Sequence, residues 1–169
     1  MDFFEGLDAA MQNLSISGGF LSSKNIDGKI NTMTISWGFI GYMWNKPHFI
    51  ALVRPQRFTD SIMKNADSFT ISIPYDKAPP YNPMRKELVV CGSKSGFDID
   101  KSGVVNFIDA KAVSSPVVAD CAMYYECKIV YRDALDGNEI PSEINKKFYD
   151  NDWHNIYIGE IVETYKGQA

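Results

Sequence analysis

The chain has 169 residues, of which 45% are hydrophobic and 22% charged, and its formal net charge is -4. This length favours a single domain over residues 1–169, and the apolar fraction is too high for a disordered chain. The acidic balance argues against a general nucleic-acid binder, which needs a basic surface. No apolar run approaches the roughly 20 residues of a membrane helix, and the N-terminal segment MDFFE is acidic where a signal peptide is basic. We therefore expect a cytoplasmic protein that binds neither membranes nor nucleic acids.

Cysteines and histidines are few and widely spaced. Cys91, Cys121 and Cys127 form no CxxC pair, and neither His48 nor His154 lies near a cysteine in the sequence. If Cys121 and Cys127 share one strand, they are roughly 20 Å apart, too far for a disulfide. The sequence predicts reduced thiols and no metal site.

The first third of the chain alternates one helix with several strands. Apolar residues at helical spacing predict an amphipathic helix over residues 3–14, which the Gly18-Gly19 pair ends. The Asp-Gly pair at Asp27-Gly28 predicts a hairpin between strands 19–24 and 29–37, because glycine accepts a positive φ at little cost. A compact apolar run over residues 48–54 predicts a buried strand, and Pro55 stops it.

The remaining elements continue this β-rich pattern. In chain order they are a short helix over 61–65 capped by Thr59-Asp60, a strand over 68–73, a proline-rich loop over 77–83, a helix over 83–91 broken by Gly92, a strand over 122–132, a turn at Asp136-Gly137, a helix over 141–149 and a strand over 154–165. Strands in hairpin-like succession with few helices favour an antiparallel barrel or sandwich. A doubly wound sheet would need a helix after nearly every strand.

An anion site is predicted where a strand gives way to a helix at Arg54-Pro-Gln-Arg-Phe-Thr59. Helix N-termini expose unpaired N–H groups and partial positive charge, and arginine offers a planar fork that fits phosphate oxygens in pairs. Arg54 and Arg57 flank that end, so they predict a phosphate or carboxylate pocket. The alternative is two solvated arginines beside an ordinary helix cap.

A ligand-binding strand is predicted over residues 31–37. Alternation places Thr32, Thr34 and Ser36 on one face, opposite the face that carries Asn31, Met33, Ile35 and Trp37. Hydroxyls beside an apolar face suit a ligand with a flat apolar ring and a polar edge. The alternative is a solvent-facing strand in which threonine serves only its β propensity.

Two weaker signals follow. The glycine-serine turn in residues 91–101 could donate N–H groups to an anion, although the Walker pattern fails there. His154, before the last strand, could donate a proton or orient a substrate, or could be purely structural.

The ordered set of segments resembles the flavin reductase-like, FMN-binding family, which includes flavoredoxin. The resemblance rests on Gly18-Gly-Phe-Leu, Asn31-Thr-Met-Thr-Ile-Ser-Trp-Gly38, Lys46-Pro47, Arg54-Pro-Gln-Arg-Phe-Thr59, Phe69-Thr-Ile-Ser, Ser95-Gly-Phe-Asp-Ile-Asp-Lys101, Cys121, Glu126-Cys127 and His154-Asn-Ile-Tyr-Ile-Gly-Glu160. These segments cover nearly the whole chain in collinear order. Phe97 and Ser102 depart from the family pattern, which often has arginine and a bulky residue at these positions.

The resemblance implies a mainly β, FMN-binding split β-barrel that forms a homodimer with FMN near the subunit interface. It implies that the ring and ribityl chain lie along Asn31, Thr32, Met33 and Thr34, closed by Ser36 and Trp37. It implies that the phosphate is held by Arg54, Arg57 and Thr59, with Ser95, Gly96 and Lys101 lining the pocket from another loop. His154 is then expected near the reactive face of the flavin, where a nicotinamide docks.

The expected function is an FMN-dependent oxidoreductase that takes electrons from NAD(P)H and passes them to a flavin, a metal ion or a partner protein. The flavin carries the redox chemistry, so no catalytic dyad of the protein is required. One alternative is an electron carrier with bound FMN and no NAD(P)H site. Another is a non-catalytic module for FMN or a different flat ligand, with haem disfavoured by the scarcity of histidine.

Overall fold

The protein is built on antiparallel strands, as the computed structural model shows for residues 2–76 and 81–167. The strands are β1 (Gly19–Lys24), β2 (Ile30–Ile35), β3 (Gly38–Met43), β4 (Lys46–Val53), β5 (Ser68–Ile73), β6 (Phe107–Ile108), β7 (Val117–Val118), β8 (Met123–Ala134) and β9 (Asn155–Lys166). Seven of them form one sheet in the order β2-β1-β5-β8-β9-β4-β3, and β6 pairs with β7 separately. The predicted antiparallel, mainly β architecture is confirmed.

The helices are short and lie around the sheet. They are α1 (Leu7–Ser17), α2 (Phe58–Met63) and α3 (Arg85–Ser93), followed by helical turns at Ser142–Ile144 and Asn145–Tyr149. The helix predicted over 3–14 starts later, because Gly6 precedes it with a φ of 73° and a left-handed residue cannot continue a helix. No helix in the two described stretches is long and apolar enough to cross a membrane. Most of the predicted proline-rich loop, residues 77–80, lies outside the described residues.

Two further predicted helix boundaries are wrong. Thr59 is not the cap of α2, which starts at Phe58; the buried Thr59 hydroxyl accepts a hydrogen bond from the Asn31 amide at 2.8 Å instead. Gly92 does not break α3, which continues to Ser93. A Cβ at position 92 would make an ordinary van der Waals contact with Thr34 at 3.4 Å, so the contact between α3 and β2 does not itself require glycine here.

One predicted hairpin is confirmed, and another was missed. β1 and β2 pair around a turn in which Gly28 has a φ of 83°. β3 was not predicted; it pairs with β4 through a tight turn at Trp44 and Asn45, whose φ values are 53° and 59°. Positive φ at both central residues is the geometry of a tight hairpin turn, but Trp-Asn carries no glycine to announce it.

Strand pairing brings the parts of the candidate site together. Val53, the last residue of β4, pairs with Asn155, the first residue of β9. Arg54 and His154 therefore emerge at the same edge of the sheet, although they are 100 positions apart in the sequence. The last strand was predicted to begin at His154, but β9 begins one residue later, at Asn155. The His154 side chain therefore lies at the edge of the sheet.

A buried carboxylate fixes α2 against the end of β9. Asp60 accepts hydrogen bonds from the Asn155 amide at 2.7 Å and the Tyr157 hydroxyl at 2.8 Å. Lys64, one turn further along the chain, forms an ion pair with the same carboxyl group at 2.8 Å. Burial and the neighbouring carboxylate raise the pKa of Tyr157, so its hydroxyl stays a donor at neutral pH. The start of α2 is thereby held beside the sheet edge that carries His154.

Candidate functional site

A cleft opens where β2 and β4 end, and both strands contribute to its walls. We refer to this cavity as the cleft. It is lined by Met33, Thr34, Ile35, Ser36, Trp37, Leu52, Arg54, Arg57 and His154. Seven of these were predicted from the sequence to bind a ligand. Leu52 and Ile35 were not. Leu52 could have been found, because it lies two residues before Arg54 on a strand and so faces the same side.

The wall from Met33 to Trp37 is built on the end of β2. The strand was predicted to reach residue 37 but ends at Ile35, so the chain turns away and consecutive side chains line the cleft. The Thr34 hydroxyl donates to the carbonyl of Leu88 in α3, and the Trp37 side chain remains 42% exposed. The wall therefore offers an apolar surface with an accessible aromatic ring.

Thr32 lies deeper than the rest of the predicted strand motif. It is fully buried, where it accepts a hydrogen bond from Ser22 at 2.9 Å and donates to the Leu21 carbonyl at 3.1 Å. Its hydroxyl thus has its partners within the sheet and does not line the cleft. The ligand role implied for Thr32 has no support in this geometry and stays a prediction.

Two cations, the half-buried Arg57 and the buried Lys101, converge on the end of α3. Arg57 donates to the carbonyls of Gly92 at 2.7 Å and Cys91 at 3.0 Å, and Lys101 donates to the same Cys91 carbonyl at 3.1 Å. Lys101 also donates to the carbonyl of Lys94 at 2.7 Å. Burial lowers the pKa of both basic groups, most directly by removing them from water. Arginine has five N–H donors and lysine three, so donors beyond these bonds remain for an anion.

Asn31, Thr59 and Gly96 form a second group beside these cations. The Asn31 amide binds Thr59, and the loop after α3 packs so closely on it that a side chain at Gly96 would meet Asn31 at 2.4 Å and Phe58 at 2.3 Å. Only glycine fits at this contact. Ser95, beside it, accepts a hydrogen bond from the backbone N–H of Phe97 at 3.2 Å.

This second group forms a pocket of its own next to the cleft. Asn31, Gly96 and Lys101 line it, together with the aromatic pair Phe58 and Phe97, whose ring centroids are 4.6 Å apart. Arg57 and Lys101, one from each cavity, meet at the Cys91 carbonyl. Nine of the twelve predicted cofactor residues therefore line two neighbouring cavities rather than one, and Thr32, Thr59 and Ser95 line neither.

Arg54 is bound to a different part of the chain. Its guanidinium donates to the side chain of Asp152 at 3.1 Å and its carbonyl at 3.2 Å, and to the carbonyl of Phe148. The ring of Tyr149 lies 5.6 Å from the same guanidinium. Sequence reasoning did not find these partners, because nothing in the sequence signals a contact across about a hundred residues.

His154 is the one imidazole in the cleft. It is only 7% exposed, its ring lies 5.5 Å from that of Trp37 and 5.4 Å from that of Tyr149, and its Nδ1 atom has no hydrogen-bond partner among residues 2–76 and 81–167. Burial, and then the charge of Arg54, lower its pKa to about 4. At neutral pH the site thus holds an uncharged imidazole with a polar atom that is available to a ligand or to water.

The chain matches the model of one known protein family. A family model described as "Flavin reductase like domain" matches residues 19–168. This match agrees with the expected FMN cofactor. A search of curated proteins found no significant match.

Solved structures of similar fold support the family match. The chain is similar to the flavoredoxin of Methanosarcina acetivorans (24% identity, TM-score 0.67), covering 90% of this chain and 69% of that one. It is similar to the flavoredoxin of Desulfovibrio vulgaris (Miyazaki F) (19% identity, TM-score 0.67), covering 90% and 70%. It is also similar to nitrilotriacetate monooxygenase component B from Bacillus cereus (16% identity, TM-score 0.67), covering 99% and 79%. The predicted split β-barrel is confirmed.

Proposed function

Since the chain belongs to the flavin reductase-like family, we propose that it is an FMN-binding oxidoreductase that takes electrons from NAD(P)H and passes them to a flavin, a metal ion or a protein. The observation that carries the proposal is the cleft itself. It combines an accessible tryptophan ring, half-buried arginines and an uncharged histidine whose Nδ1 has no hydrogen-bond partner in the described part of the chain. FMN has the matching parts, which are a flat ring with polar edges and a phosphate.

The wall of the cleft suits the flavin ring. Met33 and Trp37 offer apolar surface to a flat ring, and the Ser36 hydroxyl lies between them on the same wall. A ring bound here would cover Trp37, whose exposed area is otherwise unfavourable in water. When bound, FMN supplies the hydride and electron transfer chemistry, while the protein orients it and excludes water.

The neighbouring cations suit the phosphate. Arg57 and Lys101 are held rigidly by carbonyls of α3, and each keeps N–H donors beyond those it uses there. Asn31, Thr59 and the Ser95-Gly96 turn surround them with amide, hydroxyl and backbone groups. Buried charged donors of fixed geometry bind phosphate more strongly than mobile surface lysines do.

His154 suits a polar group of the second substrate. Because its imidazole is uncharged at neutral pH, Nδ1 can either donate or accept one hydrogen bond, depending on the tautomer. A ligand carbonyl or amide that meets this atom removes the cost of leaving it buried without a partner. We assign to His154 the orientation of the ring that exchanges a hydride with the flavin.

We also propose that the protein forms a homodimer through the outer face of the sheet. Phe39, Ile50, Ile158 and Tyr131 are paired in register across four neighbouring strands, so their side chains form one row. Phe39 is 59% and Tyr131 44% exposed. An exposed aromatic row on a sheet is typical of an interface, and a second copy covering it would bury both ends of the row.

The likeness to two flavoredoxins favours a second candidate function. In it the protein is an electron carrier that holds FMN but has no site for NAD(P)H, and reduced partner proteins supply the electrons. The two candidates share the cleft and differ in what docks beside His154.

An absorption spectrum of the purified protein reconstituted with FMN tests both candidates. After removal of free flavin, the visible bands of bound flavin are expected to remain, and anaerobic NADH or NADPH is expected to bleach them. Bleaching by dithionite but by neither nucleotide would favour the electron carrier. Protein that retains no flavin after reconstitution would refute FMN binding in both candidates.

A further inference from the structure

The connection between β8 and β9, residues 135–154, is a folded unit that we call the strap. Its centre is Trp153, whose indole N–H donates to Asn145 at 3.1 Å and whose ring packs against Gly137 so closely that a side chain there would meet it at 2.1 Å. Asn145 also donates to Asn151 at 2.9 Å. The strap is thus ordered by its own contacts and can act as one body.

The strap places two aromatic rings over the mouth of the cleft. The Phe148 ring lies 5.6 Å from that of Trp37, and the Tyr149 ring lies 6.5 Å from Trp37 and 5.4 Å from His154. Tyr149 therefore lies between Trp37, on the wall proposed for the flavin, and His154, on the proposed substrate side. The enclosing surface is aromatic, and two cations lie beside it: the Arg54 guanidinium is 5.6 Å from the Tyr149 ring and the Lys147 ammonium is 5.0 Å from the Phe148 ring.

Arg54 fastens the strap to the end of β4. It donates to both carbonyl and carboxylate oxygens of Asp152 and to the carbonyl of Phe148, while Gln56 donates to the same carboxylate at 2.7 Å. The fork of an arginine can bridge oxygens on two residues, which an ammonium group cannot reproduce. Arg54, which the sequence predicted to bind a phosphate, therefore donates its hydrogen bonds to the strap.

We propose that the strap is the specificity element for the second substrate: Tyr149 limits the size of the planar conjugated ring that can reach the cleft, and Arg54 is the positioning residue that fixes Tyr149. The proposal rests on the proposed function, because the second substrate is what exchanges electrons with bound FMN. A quinone has the required chemistry. Its reduction balances as NAD(P)H + quinone + H⁺ → NAD(P)⁺ + hydroquinone.

The first experiment compares two quinones of different size. For FMN-loaded protein, kcat/KM is measured for 1,4-benzoquinone and for the two-ring 2-methyl-1,4-naphthoquinone, with dithionite-reduced protein and reoxidation rates used if neither nucleotide is a donor. Intrinsic differences in quinone reactivity cancel when the ratio of the two constants is compared between variant and parent.

The variants separate the ring of Tyr149 from its surroundings. Tyr149→Ala is expected to shift the ratio about tenfold towards the larger quinone, in the range of one pocket group. Tyr149→Phe, which keeps the ring, is expected to restore the parent ratio. Lys146→Ala changes an exposed strap residue and serves as the matched control with an unchanged ratio. FMN affinity is expected to stay within about twofold in these variants, because neither Tyr149 nor Lys146 lines the cleft.

The second experiment needs no flavin. Hydrogen exchange of the apoprotein is measured by mass spectrometry for peptides covering residues 142–152 and, as an internal reference, residues 68–73. Arg54→Lys keeps the charge but loses the fork, so we expect faster exchange in the strap and unchanged exchange in β5. The same variant is expected to shift the quinone ratio in the direction of Tyr149→Ala.

The outcomes distinguish this proposal from the proposed function. If flavin binds but Tyr149→Ala leaves the quinone ratio unchanged, the specificity role of the strap is refuted. If hydrogen exchange in the strap is unchanged in Arg54→Lys, the positioning role of Arg54 is refuted. If the parent protein binds no flavin but Arg54→Lys speeds hydrogen exchange in the strap, the proposed function is refuted and the positioning role of Arg54 is supported.

Discussion

The buried imidazole of His154 gives the protein a measurable dependence on pH. Burial chiefly, and then the positive charge of Arg54, lower its pKa from 6.5 to about 4. The unfolded chain takes up this proton near pH 6.5, before the folded protein does. The folded state is therefore at full stability above about pH 6.5 and loses stability as the pH falls towards 4.

The size of this effect follows from the shift in pKa. With a folded pKa of about 4, the free energy of unfolding decreases by about 2 kcal/mol between about pH 7 and pH 5. His154→Gln removes the ionisable group and keeps a polar side chain. We therefore expect urea denaturation to show that, as the pH falls from about 7 to 5, the free energy of unfolding of the parent decreases by about 2 kcal/mol more than that of the variant.

Nuclear magnetic resonance measures the pKa itself. Because the chain has two histidines, the imidazole protons bound to Cε1 give two resonances, and the one missing in His154→Gln belongs to His154. That resonance is expected to keep its neutral position until below about pH 5. A midpoint at or above about 6.5 would show that the imidazole is not desolvated, and the reasoning about an uncharged site would be wrong.

Four further changes test the fold, the site and the proposed assembly. Gly96→Ala should lower the free energy of unfolding by about 1–3 kcal/mol in urea, since its side chain would overlap Phe58 and Asn31, whereas Gly103→Ala, with no atom within 4 Å of its side chain, should change it far less. Glu126→Ala should cost about 3 kcal/mol by the same measurement, because the carboxylate accepts bonds from two backbone N–H groups and the Tyr165 hydroxyl. Arg57→Met should weaken FMN binding about 10- to 100-fold in a fluorescence titration, and an unchanged affinity would exclude a phosphate role. Phe39→Lys should convert a dimer into a monomer in light scattering at micromolar concentration, provided that the parent has the mass of a dimer.

The β-rich architecture was predictable because its signals are local. Alternation over residues 68–73 and the glycine at position 28 each act within a few residues, and both predicted the observed structure. The hairpin of β3 and β4 was not predictable in this way. Its turn uses Trp44 and Asn45 at positive φ, a conformation that tertiary packing must impose on tryptophan because its own preference is against it.

The candidate site was partly predictable for the same reason. Residues 33–37 and Arg57 line the cleft because the ends of two strands and the start of a helix fix them locally. The contacts of Tyr149 and Asp152 depend on how the strap folds around Trp153 and where it meets β4. Such contacts join residues about a hundred positions apart, and hydrophobic or charge periodicity carries no information about them.

The motif Arg-Pro-Gln-Arg shows how much the local structure decides. Arg54 and Arg57 look equivalent in the sequence, but a turn in which the Arg57 N–H donates to the Arg54 carbonyl at 2.9 Å sends their side chains apart. Arg57 meets the end of α3 and Arg54 meets Asp152 in the strap. If one cation holds the cofactor while the other controls access to it, affinity for flavin and selectivity for the second substrate are separate properties of one four-residue turn. Each can then change without the other, because the two guanidinium groups bind different elements.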